Sequence, residues 1–251
     1  MRPVPVRPLL VRGLLAGLAA GLLALVVAYL LGEPQMNAAI SFEDAHTHEH
    51  GAEVVSRSLQ STAGLATGVL AEALALGGLA SLAYCALLGR TGRFGPRATA
   101  ALLSGAALLA VHVIPFLKYP ANPPSVGEPD TIGTRTTLYV LMIALSALLC
   151  AGAVLLGRRL SPRLGPWHAT VAAAAALLSA IALAYALLPP VDEVPADFPA
   201  DLLWRFRLAA LAVPCTLWAA FGVFFGGAAE RLVGAGEPSA PAVTPDGAGH
   251  S

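Results

Sequence analysis

The sequence predicts an all-α integral membrane protein, a bundle of six transmembrane helices. Its 251 residues have a mean hydropathy of +0.71, and 12% of them are charged, which is half of the share usual in soluble domains. The apolar residues also form long runs without charges. A run of about 20 residues is enough for a helix to cross the hydrocarbon core of a bilayer.

Six apolar runs reach this length. They lie near residues 8–31, 64–89, 97–117, 136–157, 167–188 and 206–228. The first run is too long for the apolar region of a secretory signal peptide, which has about 7–15 residues, and no small-x-small cleavage site follows it. We therefore expect the first run to be retained as a transmembrane helix.

The distribution of basic residues predicts the orientation. Ten of the fifteen Lys and Arg residues precede or open the first helix, lie in the two short turns after the second and fourth runs, or follow the sixth run. The opposite side carries the other five, together with eleven of the fifteen Asp and Glu residues. Because cytoplasmic loops are enriched in Lys and Arg, we expect both termini in the cytoplasm and the three long loops outside.

The alternation of short inner turns and long outer loops predicts three tandem helix hairpins of shared topology. Each long loop ends in an arginine that opens the next helix, namely Arg57, Arg135 or Arg205. Prolines are expected to end the first helix of each pair, in LLGEP, VIPFLKYPANPP and ALLPPVDEVP. Residues 1–232 are thus expected to form a single transmembrane domain, followed by a disordered cytoplasmic tail at 233–251.

The segment EDAHTHEHGAE, residues 43–53, predicts a metal-capture site in the first outer loop. The candidate ligands are His46, His48, His50, Glu43, Asp44 and Glu49. Imidazole and carboxylate groups suit ions such as Co, Ni, Zn and Cu, whereas sets of oxygen ligands alone suit Ca and Mg. An extended segment would place the three histidines on one side, and a helix would place two of them on one face. Either arrangement gives a labile site; the alternative is a solvated acidic loop with incidental histidines.

Two ionisable residues inside the predicted spans are candidates for an ion pathway. Glu72 lies eight residues into the second run, about 12 Å deep, and a carboxylate at such a depth usually faces a bundle interior or an aqueous path. His112 lies near the outer end of the third run, before Pro115. A path from the histidine cluster to His112 and Glu72 is therefore geometrically allowed. The alternative is a structural role for both residues.

Two further patterns predict electrostatic attraction of cations and close packing of helices. The acids of the third outer loop are expected to concentrate cations without coordinating them; they are Asp192, Glu193, Asp197 and Asp201. In the first helix, Gly13, Gly17 and Gly21 share one face. Small residues at this spacing allow another helix to approach closely.

Several functions are disfavoured by what the sequence lacks. The net charge is zero and no basic patch occurs, so we expect no nucleic-acid partner. No GxxxxGK[ST] phosphate loop is present, and neither HExxH nor GxSxG occurs, so we expect no enzyme activity. The three cysteines are far apart in apolar runs and form no disulfide or zinc set. No permanently bound cofactor is expected.

With these features, the chain resembles the CbtA family, the predicted cobalt transporter subunits of bacteria. The likeness is carried by LLGEP, the cluster EDAHTHEH, the proline-rich exits and the stretch PFLKYPANPPSVGEPDTIGTRTTLY, and it covers about residues 8–232. The resemblance implies uptake of cobalt across the bacterial plasma membrane, linked to cobalamin synthesis and often beside a small one-helix partner, CbtB. The cluster here is shorter than the denser histidine runs that family members often carry.

The resulting hypothesis is a membrane subunit for uptake of a divalent metal ion. The outer loop would capture the ion, cobalt first with Ni or Zn as alternatives, and the bundle would pass it inward past His112 and Glu72. The alternative is a membrane scaffold or metal sensor whose loop binds metal without translocating it.

Overall fold

The protein is built from helices that are long and apolar enough to cross a membrane. The computed structural model describes residues 5–46, 56–90, 94–124, 126–127 and 131–234, and no strand occurs in these ranges. The five long helices are α1 (Val6–Ala45), α2 (Arg57–Leu87), α3 (Pro96–Lys118), α4 (Ile132–Leu187) and α5 (Ala200–Val233). The predicted all-α membrane class is confirmed.

Helix α4 explains why five helices are found where six spans were predicted. It has 56 residues and would be about 84 Å long if straight, far more than the hydrocarbon thickness of about 30 Å. The backbone leaves the helical conformation at Gly165, with φ 74° and ψ 162°, and the chain turns back there. A Cβ placed on Gly157 would lie 3.4 Å from the Cβ of Ala173, so the two arms pack side by side. The predicted runs 136–157 and 167–188 form these arms, and the count of six separate helices is not confirmed.

Substitution of Gly165 by alanine is expected to destabilise this turn. The conformation at Gly165 belongs to a region that is essentially restricted to glycine, and a residue with a Cβ pays about 1–3 kcal/mol there. We expect the melting temperature of the purified protein in detergent to fall by roughly 2–10 °C. Gly152→Ala, in the first arm of the same helix with open space around its Cα, is the control and should leave the melting temperature unchanged or slightly higher. Equal melting curves for the two variants would contradict the expectation.

Helix α1 is longer than predicted, because Pro34 does not end it. The expected exit at LLGEP is wrong: the helix passes through a π-helical segment, Ala28–Gly32, and continues as Glu33–His46. Here the amide of Glu33 donates to the carbonyl of Ala28, five residues back. A π-helical turn shifts the hydrogen bonds by one residue, so the missing amide hydrogen of Pro34 does not break the helix. At about 1.5 Å per residue, the 40 residues of α1 extend about 60 Å, twice the hydrocarbon thickness.

Close packing of α1 against α2 organises the core. A Cβ on Gly17 would lie 2.5 Å from the carbonyl oxygen of Ala73, and one on Gly13 would lie 2.3 Å from the Cβ of Ser81. The glycine face that the sequence predicts is therefore the face on which α2 lies. Helix α5 also packs on α1 and on α3. Its buried aromatic rings, Phe221 and Phe225, stack with centroids 5.1 Å apart.

Helix α4 is held mainly by the C-terminal half of α3. Its contacts with other helices are concentrated on residues 108–118, which include another π-helical segment, Leu108–Val113. The hydroxyl of Ser146 donates to the carbonyl of Ala110, and that of Tyr185 donates to the carbonyl of Ile114. In the most apolar 18-residue stretch of α4, 11% of the residues are buried, against 28–33% in the corresponding stretches of the other four helices. Most of this hairpin therefore lies on the outside of the bundle.

Candidate functional site

The two ionisable residues predicted inside the spans meet in the structure. Glu72 is the central residue of α2, and His112 lies in the π-helical segment of α3. The Nε2 atom of His112 is 3.5 Å from Oε1 of Glu72, within ion-pair distance. π-Helical turns occur often at functional sites, and this one places the imidazole against a carboxyl of another helix.

Trp218 of α5 is the second partner of His112. Its indole Nε1–H donates to Nδ1 of His112 over 3.3 Å, and the two rings meet edge to face with centroids 6.4 Å apart. Trp218 is buried, and its ring also contacts Phe221. Since an indole nitrogen can only donate, Nδ1 of His112 carries the lone pair and Nε2 carries the proton of the neutral ring.

A cavity of about 200 Å³ adjoins this pair between α1, α2, α3 and α5. Its polar lining is provided by Glu72 and His112, and the rest of it is apolar. Ala210 and Pro214 of α5 also border it. Because proline has no amide hydrogen, Pro214 cannot provide the hydrogen bond that the carbonyl of Ala210 would accept in a regular helix. The cavity is thus bordered by a carboxyl, an imidazole and a weakened turn of helix.

The two members of the pair differ in exposure. The side chain of His112 is 13% exposed and that of Glu72 is 57% exposed. Tyr139, in the first arm of α4, lies within electrostatic range of Glu72. The imidazole is therefore held inside the bundle, whereas the carboxyl lies at the opening of the cavity.

The predicted metal-capture segment begins at the end of α1. Glu43 is partly buried and Asp44 is exposed, and the helix ends at His46. The side chain of His46, together with His48, Glu49 and His50, falls outside the described residues, so their arrangement stays a prediction. Of the two geometries considered, the helical one applies up to His46.

The C-terminal end of α1 lies beside the chain segment that precedes α5. The guanidinium of Arg57 pairs with Glu33, and its Nε donates to Oδ1 of Asn37 over 3.1 Å. The ring of Phe42 meets that of Phe198 edge to face, with centroids 5.1 Å apart. Since Phe42 precedes Glu43 and Phe198 follows Asp197, the start of the cluster lies beside the acid-rich loop.

The four acids of the third loop do not share one environment. The carboxyl of Glu193 is 6% exposed and lies 3.5 Å from the guanidinium of Arg135. Asp201 is 73% exposed and pairs with Arg205 at 3.1 Å within one helix, and Asp192 and Asp197 are exposed. Glu193 therefore neutralises Arg135 in a partly buried ion pair. The exposed negative charge of this loop is provided by its aspartates.

Sequence reasoning did not identify Trp218 or Tyr139. A signal for Trp218 exists, because an indole N–H inside an apolar run needs an acceptor when it is buried, and few side-chain acceptors occur in these spans. His112 is one of them. No comparable signal marks Tyr139, since its proximity to Glu72 depends on how α4 is placed.

Within the described ranges, no group of three or more His, Cys, Asp or Glu side chains lies close enough to hold a metal ion. The pair of Glu72 and His112 provides two such side chains, one fewer than this criterion requires. Comparison with protein families gives one finding: the model described as "Probable cobalt transporter subunit (CbtA)" matches residues 6–230. No curated protein and no solved structure matches the chain.

Proposed function

This chain belongs to the CbtA family of probable cobalt transporter subunits, and we propose that it is a membrane subunit for uptake of a divalent metal ion, with Co²⁺ as the ion. The ion is captured outside by the histidine and acid segment at the end of α1 and passes through the bundle beside Glu72 and His112. The family match over nearly the whole chain is the observation that carries this proposal.

The capture step is supported by the length and attachment of α1. The helix is about twice as long as the hydrocarbon core is thick, so Glu43 and Asp44 lie beyond it. Arg57 and the contact of Phe42 with Phe198 fix this end of the helix beside exposed aspartates, whose field raises the local concentration of cations. His46, His48, His50 and Glu49 add the nitrogen and oxygen ligands that Co²⁺, Ni²⁺ and Zn²⁺ accept.

The route through the bundle is supported by the pair at the centre of α2. Ionisable residues are rare in transmembrane segments and commonly mark ion or proton pathways. Glu72 and His112 come from different helices and meet beside a cavity that α1 and α5 also border. We further propose that both termini are cytoplasmic, as the arginine distribution predicts, and that a small one-helix membrane protein is the partner.

The test of the proposal is accumulation of radioactive Co²⁺ by bacterial cells. The full chain is expressed with and without any small membrane protein encoded beside its gene. We expect accumulation several-fold above cells that carry an empty vector, and competition by unlabelled Co²⁺ stronger than by Ni²⁺ or Zn²⁺.

The controls separate uptake from binding without translocation. Metal that is only bound at the outer segment is removed by washing intact cells with a membrane-impermeant chelator, whereas translocated metal is retained. Retained metal at the level of the empty vector, in the presence of the partner, would reject uptake and leave the scaffold or sensor alternative.

A further inference from the structure

We propose that Glu72 is a proton-binding carboxyl, and that His112, fixed by Trp218, is the positioning residue that holds it. The proton site lies on the ion route proposed above and to that extent rests on the proposed function. It adds the exchange of a proton at this point of the route, without coordination of the metal by His112.

The tautomer of His112 is the first step of the argument. The indole of Trp218 donates to Nδ1 over 3.3 Å, and an indole has no acceptor. A proton on Nδ1 would face the indole hydrogen, so this hydrogen bond requires the lone pair of Nδ1. The neutral ring therefore has its hydrogen on Nε2, the atom that lies 3.5 Å from the carboxyl of Glu72.

This arrangement is the reverse of the one that a metal-ligating histidine needs. Such a histidine directs the lone pair of one nitrogen at the metal and donates its other N–H to a carboxylate, carbonyl or water. In this structure, the lone pair of His112 is used by Trp218, and the N–H is directed at Glu72. Binding of a metal at Nε2 would require loss of the Trp218 hydrogen bond or of the ring proton.

The position of Glu72 favours a carboxyl that exchanges protons. It is the central residue of α2, far from either end of the span, and more than half of its side chain is exposed at the opening of the cavity. A carboxylate is costly there, and protonation removes its charge. When the proton leaves, the Nε2–H of His112 stabilises the carboxylate. The step is an equilibrium between a proton in water and the carboxyl, and the proton on Nε2 of His112 is not transferred in it.

The other groups that face Glu72 from the neighbouring helices do not take over the roles of proton-binding carboxyl and of N–H donor to it. Helix α4 contributes Tyr139, a phenol within electrostatic range. Around the cavity, α1 contributes Ala24, and α5 contributes Ala210, Val213, Pro214 and Leu217, none of which titrates. Of the residues that line the cavity in the described part of the chain, Glu72 and His112 are the titratable ones.

Proton exchange at Glu72 would couple to passage of a cation by electrostatics. A divalent cation in the cavity favours the charged carboxylate and displaces the proton, and protonation removes the charge that attracts the cation. Occupancy by the proton and by the cation thus oppose each other at one point of the route.

The test uses the full-length protein in lipid nanodiscs, and it requires no transport. Infrared difference spectra between high and low pH should contain the carbonyl band of a protonated carboxylic acid that is lost in Glu72→Gln. Nitrogen-15 spectra should show His112 with its hydrogen on Nε2, and titration with Zn²⁺ should leave that signal unchanged. His112→Gln, whose amide can still donate at the position of Nε2, should retain the carboxyl band at a pH near that of the unmodified protein, whereas His112→Leu should shift it.

The outcomes are distinct from those of the uptake experiment. Loss of the Nε2–H signal of His112 on addition of Zn²⁺, or a carboxyl band that Glu72→Gln does not change, would overturn the inference whether or not the cells accumulate Co²⁺. In cells that do accumulate it, the uptake rate should depend less on pH in Glu72→Gln than in the unmodified protein, and the pH dependence that remains should come from the histidines of the capture segment. A pH dependence equal to that of the unmodified protein would also overturn it.

Discussion

Replacement of His46, His48 and His50 by alanine is expected to lower the affinity of the purified protein for Co²⁺ by more than about 100-fold. Loss of residues that only orient metal ligands already costs about 10–100-fold in affinity, and this variant removes three proposed ligands. The remaining acids, Glu43, Asp44 and Glu49, would attract cations without nitrogen coordination. The measurement is isothermal titration calorimetry with Co²⁺, Ni²⁺ and Zn²⁺.

A matched control replaces acids that lie beside the segment and are not proposed as ligands. Asp192→Asn with Asp197→Asn should weaken binding by only a few-fold, and this small effect should disappear at high salt, because it acts through the field. Binding to the unmodified protein should also weaken as the pH falls through about 6.5, since histidine binds metal as a neutral imidazole. Unchanged affinity of the triple variant would show that the capture segment is not the site.

The substitution Gly17→Leu is expected to cause the largest loss of stability among single changes in the bundle. A Cβ at this position would lie 2.5 Å from the carbonyl oxygen of Ala73 and 3.1 Å from the Cα of Gly77. Both are backbone atoms that cannot rotate away, so α1 and α2 must separate along their whole contact. Overpacking of this kind costs about 3 kcal/mol or more, which corresponds to a decrease of roughly 10 °C in the melting temperature in detergent.

Gly68→Leu is the matched control, because Gly68 lies in α2 with open space around its Cα. It makes the same chemical change on one of the two helices without entering their contact, and its melting temperature should stay within roughly 2 °C of that of the unmodified protein. Equal destabilisation by both substitutions would argue against close packing at Gly17.

The helical class and most helix positions could be predicted from the sequence, because long apolar runs in a membrane can satisfy their backbone groups by forming helices. The end of α1 could not. Proline normally interrupts helical hydrogen bonding, and the π-helical segment Ala28–Gly32 that accommodates Pro34 has no signature in the residue types. The count of six helices is not confirmed, because the predicted fourth and fifth runs are joined through Gly165, and a glycine between two apolar runs does not reveal whether the helix continues past it.

The candidate site was predictable only as a list of residues. Glu72 and His112 are conspicuous because charges are expensive inside a span, and their shared position in the outer half made a common path allowable. Their contact depends on which faces α2 and α3 present, and apolar residues all around these helices give no preferred face. Trp218 fixes the tautomer of His112, a property that no pattern of spacing contains.

The attachment of α4 has a consequence for the cooperativity of the protein. Stabilising contacts are distributed unevenly: α1, α2, α3 and α5 form one block, whereas the doubled-back α4 is joined to it largely through residues 108–118. Segments with few buried contacts open independently of the rest of a structure. Because that same stretch of α3 includes His112, detachment or rotation of α4 acts first on the helix turn that carries the imidazole, while the glycine contact between α1 and α2 keeps its geometry.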